Sequence, residues 1–147
     1  MKTIIIPGWL IIMSACGQIF TAFIYPWVRH NVFNWYNDIK QLNRLNQAIT
    51  RTYGHYIQGI NFSFGIISIL FINEMQSGSG LATGITGLIA AYWTGKLITQ
   101  FAFYPMKDIP RKPLFKIGEV LMNTMFIAFS VIYILMFVSN LARFLEK

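Results

Sequence analysis

Four long stretches almost free of charge take up most of this 147-residue chain. They run over about 4–27, 56–72, 81–104 and 117–141. The first two contain no charged residue, the third holds only Lys96, and the fourth holds only Glu119 near its start. A helix rises 1.5 Å per residue, so ~20 apolar residues cross a ~30 Å hydrocarbon core. The second stretch is short by itself and can lengthen backwards into the preceding loop. The expected fold is therefore all-α: an antiparallel four-helix transmembrane bundle forming a single domain over 1–147. Four such spans leave about 60 residues, too few for a separate soluble catalytic domain. Composition agrees, because 12% of the residues are charged against roughly 25% in a typical soluble domain.

The first stretch follows Met1-Lys2, as in a signal peptide, and Met13-Ser14-Ala15-Cys16 loosely resembles a lipoprotein cleavage box. The apolar run continues past that point to Trp27, so an uncleaved anchor is expected. Cys16 is expected to serve packing, since a single cysteine has no internal disulfide partner.

Charge sets the expected orientation. The chain carries 12 Lys plus Arg against 5 Asp plus Glu, a net charge of +7. In a polytopic protein this favours basic loops against an anionic leaflet, not nucleic-acid binding. Loop 28–55 holds Arg29, Lys40, Arg44 and Arg51, and loop 105–116 holds Lys107, Arg111, Lys112 and Lys116. The turn at 73–80 has no Lys or Arg. The positive-inside rule places loops 28–55 and 105–116 in the cytoplasm and both termini outside.

The connecting segments differ. Pro105, Pro110 and Pro113 make the third loop an extended connector. Ser77-Gly78-Ser79-Gly80 reads as a tight hairpin. Over 34–55, apolar residues recur at Trp35, Ile39, Leu42, Leu45, Ile49 and Tyr53, a helical period. Asn34 or Asn37 is the expected cap. This amphipathic segment is either an interfacial helix along the headgroups or an extension of the second span, with any bend at Gly54.

Polar residues recur at helical spacing inside the spans. Ser14, Gln18, Thr21 and Tyr25 lie on one face of the first, and Gln58, Asn61, Gly65 and Ser68 on one face of the second. Tyr92, Lys96, Gln100 and Tyr104 do so on the third, and Glu119, Asn123 and Ser130 on the fourth. Polar groups facing lipid are costly, so these faces are expected to turn inward. With antiparallel spans all four fall in the same half of the bilayer, and the other half, including 131–137, reads as apolar. Lys96 lies roughly 12 Å from the end of its span, and Glu119 is the only carboxylate inside any span. The two are expected to pair, directly or through Gln100 or Asn123. Two readings of the layer stay open: interhelical hydrogen bonding, or a pocket in which Lys96 faces an anionic or carbonyl-bearing ligand.

A second feature of the third span is a ridge of small residues: Gly80, Gly84, Gly87, Ala91 and Gly95. It suits either packing inside the monomer or an oligomer or partner interface.

Other chemistries find little support. His30 and His55 are the two histidines; they are suitable as axial haem ligands, but nothing else points to haem. No metal-ligand cluster and no phosphate-binding glycine motif is present. Trp27, Trp35, Tyr36, Tyr53, Tyr56, Phe103 and Tyr104 fit an interfacial aromatic belt.

The stretch Gln41-Leu42-Asn43-Arg44-Leu45, then Arg51-Thr52-Tyr53-Gly54-His55-Tyr56-Ile57, with Tyr92-Trp93-Thr94-Gly95-Lys96 and Gln100-Phe101 downstream, carries a resemblance. Over residues 40 to 105 it is similar to a group of small uncharacterised bacterial four-span membrane proteins. That resemblance implies a bacterial inner-membrane location and no particular activity. The four-helix format also resembles membrane-embedded glutathione-transferase-like proteins, but their Arg/Asn/Glu pattern after the first loop is missing.

The expected function is non-enzymatic: a structural or accessory subunit of a membrane assembly, held to a membrane-protein partner or a second copy. A small-ligand carrier or transporter using the layer around Lys96 and Glu119 is the alternative, and a membrane enzyme on a lipophilic substrate the third. No cofactor is expected.

Overall fold

The computed structural model describes residues 5–31, 33–103 and 113–146. They form five α-helices and, among the described residues, no strand. These are α1 Gly8–Asn31, α2 Trp35–Ile39, α3 Arg44–Leu70, α4 Gly80–Ala102 and α5 Pro113–Leu145.

Four of these helices are long, and they pack as two antiparallel hairpins. Gly8 of α1 meets Ile72 just beyond α3, while Arg29 at the other end of α1 meets Gly54. In the second hairpin Gly80 meets Phe144 and Gly87 meets Phe137. Close approach of α1 and α3 depends on Gly65, where a Cβ would stand 2.7 Å from the Ala15 carbonyl oxygen. The hairpins join through a core that includes Ile11, Ile89, Trp93, Phe126, Phe129 and Tyr133.

The segment 34–55 is not one helix: Asn34, one of the two expected caps, precedes only the short α2. Asn34 adopts a left-handed conformation (φ 51°) before the short α2, with no side-chain cap bond. The cap that matters is Asn43, whose Oδ1 accepts the Asn46 backbone N–H at 2.8 Å. That bond satisfies a first-turn donor and fixes where α3 begins. From there α3 runs through Gly54 without a break to Leu70. Of the two open readings, extension of the second helix is the one observed.

The turn between α3 and α4 is a 3-10 turn at Glu74–Gln76 followed by Gly78 at φ +68°, where a side chain would be strained. Ser79 then caps α4 by accepting the Ala82 N–H at 3.1 Å. Most of the expected proline connector, 105–112, lies outside the described residues, as does Tyr104. α5 begins at Pro113, inside the expected connector; a proline costs nothing in a first turn, where its N–H would be unpaired anyway.

Among the described residues, two helices are long and apolar enough to cross a membrane: α1, and the Lys116–Leu145 part of α5. The expected spans 56–72 and 81–104 fall on α3 and α4, which have the length but a lower mean hydropathy. Their polar residues explain the difference, because many of them face inward. Asn61 and Ser68 of α3 and Thr86 of α4 are fully buried, as are Gln18 and Thr21 of α1 and Asn140 of α5. Phe23 (71% exposed), Leu81 (74%) and Leu88 (61%) face outward instead. The bundle buries polar side chains beside its apolar core and is apolar outside over much of its surface.

Candidate functional site

The inward polar faces separate into a hydrogen-bonded layer and a shallower group of unpaired cations. The bonded layer is centred on Gln18. The Trp93 indole N–H donates to Gln18 Oε1 at 3.1 Å, and Gln18 Nε2 donates to the Tyr133 hydroxyl at 2.8 Å. The Tyr133 and Ser68 hydroxyls are 2.6 Å apart, and Ser68 also bonds the Phe64 carbonyl at 2.7 Å. Ser68 has one hydrogen, which the carbonyl must take, so Tyr133 donates to Ser68. The chain of bonds touches all four long helices. Beside it Tyr92 donates to Asn61 Oδ1 at 2.6 Å, joining α4 to α3, and Gln58 donates to the Ala22 carbonyl at 3.1 Å, joining α3 to α1. Gln18, Asn61 and Tyr92 of the expected layer are thus brought together.

A second polar clamp lies at the opposite end. Asn140 Oδ1 accepts the Gly78 backbone N–H at 3.1 Å, and its Nδ2 donates to the Met75 carbonyl at 2.7 Å. Asn140 therefore holds the α3–α4 turn against α5. Sequence reasoning missed Asn140, Tyr133 and Trp93. Tyr133 and Asn140 continue the Glu119–Asn123–Ser130 face at helical spacing, so extending that stripe would have found them.

Lys96 follows Trp93 by three residues, about 4.5 Å along α4. Its ammonium is surrounded by rings: Phe126 at 4.9 Å, Tyr25 at 5.1 Å, Trp93 at 5.2 Å and Tyr92 at 6.0 Å from the centroids. The nitrogen is buried and has no hydrogen-bond partner. The expected pair with Glu119 does not form, directly or through Gln100 or Asn123. Lys96 packs at the level of Phe126, and Glu119 lies seven residues away, about 10 Å along α5. Gln100 and Glu119 are half-buried, and Asn123 Oδ1 is buried without a donor.

Arg29 is the second cation of this group. It is 8% exposed. Its guanidinium lies 4.6 Å from the Tyr25 ring centroid and 5.0 Å from that of Trp35. Its one hydrogen bond is a long contact from Nη2 to the Gly54 carbonyl at 3.5 Å. Gly54 is required, since a Cβ there would overlap the guanidinium. Both cations flank one ring, so they lie within about 10 Å of each other. At an effective dielectric constant near 20 that repulsion is about 1.7 kcal/mol or more. Ring faces return about 2 kcal/mol when desolvated, while desolvating each ion costs several.

The small-residue ridge also divides. Gly80 and Gly87 pack against Phe144 and Phe137 of α5, whereas a Cβ on Gly84 or Gly95 would meet nothing within 4 Å. Ala91 is exposed with them. Packing within the chain therefore uses part of the ridge and leaves Gly84, Ala91 and Gly95 on an outward face. His30 and His55 are both exposed, and His30 lies 5.7 Å from the Tyr36 ring. No group of three His, Cys, Asp or Glu suited to a metal occurs among the described residues.

Comparison with protein-family models, curated proteins and solved structures finds no match.

Proposed function

We propose that the chain is a four-span integral-membrane bundle that acts as a non-catalytic structural or accessory subunit of a membrane assembly. In this reading α1, α3, α4 and α5 cross the bilayer, loops 28–55 and 105–116 are cytoplasmic, and both termini lie outside. The many exposed large apolar side chains support the membrane reading, because exposed apolar area on this scale is stable against lipid and costly against water. The hydrogen-bonded chain through Gln18 supports a structural role, since lipid gives helices no hydrophobic drive to associate and polar contacts must supply it.

The observation that carries the accessory reading is the first half of α3. Leu45 (69% exposed), Ile49 and Tyr53 form an outward apolar stripe on a helix that extends beyond its expected span. Together with Gly84, Ala91 and Gly95 it offers surface for a membrane-protein partner or a second copy. The test is native mass spectrometry after gentle detergent release from the chain's own membrane. A stoichiometric protein partner or homo-oligomer is expected. A bare monomer in repeated preparations contradicts the reading.

A small-ligand carrier is the second reading. It is favoured by the Lys96 ammonium, which is buried without a hydrogen-bond partner.

A further inference from the structure

We propose that Arg29 and Lys96 together receive an oxyanion of the phosphate class at the end of the bundle where α1 and α4 finish. The proposal rests on the four-span reading and goes beyond the accessory role.

Neither cation pairs with an acidic side chain among the described residues. Asp38 and Glu74 are exposed, and Glu119 lies about 10 Å along α5 from the level of Lys96. Lys96 has three N–H donors and uses none in a hydrogen bond; Arg29 has five and uses one, at 3.5 Å. The rings that hold the two cations supply attraction but accept no conventional hydrogen bond. An oxyanion is what such a pair lacks: it offers several acceptors, a charge opposite to both, and relief of their mutual repulsion. A guanidinium fork suits a phosphate or carboxylate in particular.

Placement favours a ligand at the membrane surface. Arg29 is two residues from the end of α1 at Asn31, and Lys96 is six from the end of α4 at Ala102. Trp27, Tyr53 and Tyr56 are exposed around the same end, as aromatic side chains are at headgroup depth. Two sources can bring the same chemistry there: the headgroup phosphate of an anionic lipid, and free phosphate from the aqueous side.

The test uses the full-length protein in nanodiscs of equimolar phosphatidylcholine and phosphatidylglycerol. Native mass spectrometry counts the lipids retained. Thermal unfolding in phosphatidylcholine alone is then compared in sodium phosphate and in sodium chloride of equal ionic strength. The expected result is that one anionic lipid is retained in preference to phosphatidylcholine, or that phosphate raises the melting temperature above that in chloride. Lys96→Met and Arg29→Met are expected to weaken whichever effect is seen by about tenfold, or 1.4 kcal/mol, and Lys96→Arg to keep it. Retained lipid that free phosphate does not displace assigns the headgroup as the source; displacement assigns free phosphate. Equal retention of both lipids together with equal melting in phosphate and chloride overturns the proposal. So does an unchanged preference in both methionine variants. Circular dichroism shows whether each variant is folded, and Lys96→Arg carries the comparison if Lys96→Met is not. Failure of the four-span reading is seen separately, as Gln47→Cys and Ser77→Cys labelled by an impermeant maleimide from the same side of the membrane.

Discussion

Gly54 lies against the Arg29 guanidinium so closely that a Cβ there would overlap it, while the Gly54 carbonyl accepts the Arg29 Nη2 proton at 3.5 Å. The glycine is the reason that a cation near the end of α1 can turn inward against α3. Gly54→Ala should therefore displace Arg29 and destabilise the protein by about 1–3 kcal/mol, the usual cost of overpacking. Gly59, one turn and a half along the same helix, meets nothing within 4 Å. Gly59→Ala should raise stability by up to about 1 kcal/mol through helix propensity alone. Thermal unfolding of both variants in one detergent checks the contrast, and equal shifts of the same sign would refute it.

Tyr133 accepts from Gln18 and donates to Ser68, so Tyr133→Phe breaks two bonds and leaves the Gln18 amide N–H without its acceptor. The expected cost is about 1–3 kcal/mol. Ser130, also buried on α5, bonds only the Phe126 carbonyl one turn back. Ser130→Ala should change stability by no more than about 0.5 kcal/mol. A double-mutant cycle of Tyr133→Phe with Gln18→Leu should show coupling near 0.6 kcal/mol or above, the scale of interhelical bonds in membranes; zero coupling would show that the chain of bonds is not formed.

How much of this was legible in the sequence depended on how each residue type announces itself. Gln18, Asn61 and Ser68 are polar in an apolar setting, and their spacing gave their inward faces directly. Trp93 and Tyr133 count as apolar in any hydropathy pattern, so their polar atoms, which tie the helices together, were hidden. Arg29 read as a loop charge because its burial depends on Gly54, 25 residues away. Glu119 was expected beside Lys96 because it was the one carboxylate in any span. Rings on three positions of α4 and α5, and Tyr25 of α1, occupy that space instead. The extent of α3 turned on a single cap, Asn43, among several asparagines able to serve.

Lys96 holds a charge in a ring-lined space with no hydrogen-bond acceptor, so its charge opposes the fold when no anion is bound. Lys96→Met keeps the length of the side chain and removes the charge. In a neutral detergent the variant should be at least as stable as the parent, by zero to about 2 kcal/mol, because the desolvation cost exceeds the attraction of the rings. A loss of stability in neutral detergent would show that the rings alone satisfy the ammonium.

Asn140 joins the backbone of the α3–α4 turn to α5 at both Gly78 and Met75. Asn140→Ala leaves a backbone donor and an acceptor without that partner, at about 1 kcal/mol or more for each. The expected total is about 2–3 kcal/mol, with proteolysis or hydrogen exchange in 73–80 rising before the rest of the chain opens. Uniform protection across the turn would contradict this role.

Membrane topology tests the central claim most directly. With exposed Cys16 replaced by alanine, single cysteines are placed at Gln47, in the first half of α3, and at Ser77, in the α3–α4 turn. Intact cells are then labelled with a membrane-impermeant maleimide. If α3 and α4 both cross the bilayer, the two sites lie on opposite sides, with Ser77→Cys labelled from outside and Gln47→Cys only after permeabilisation. Labelling of both from the same side would mean that α3 does not cross, and the four-span account would be wrong.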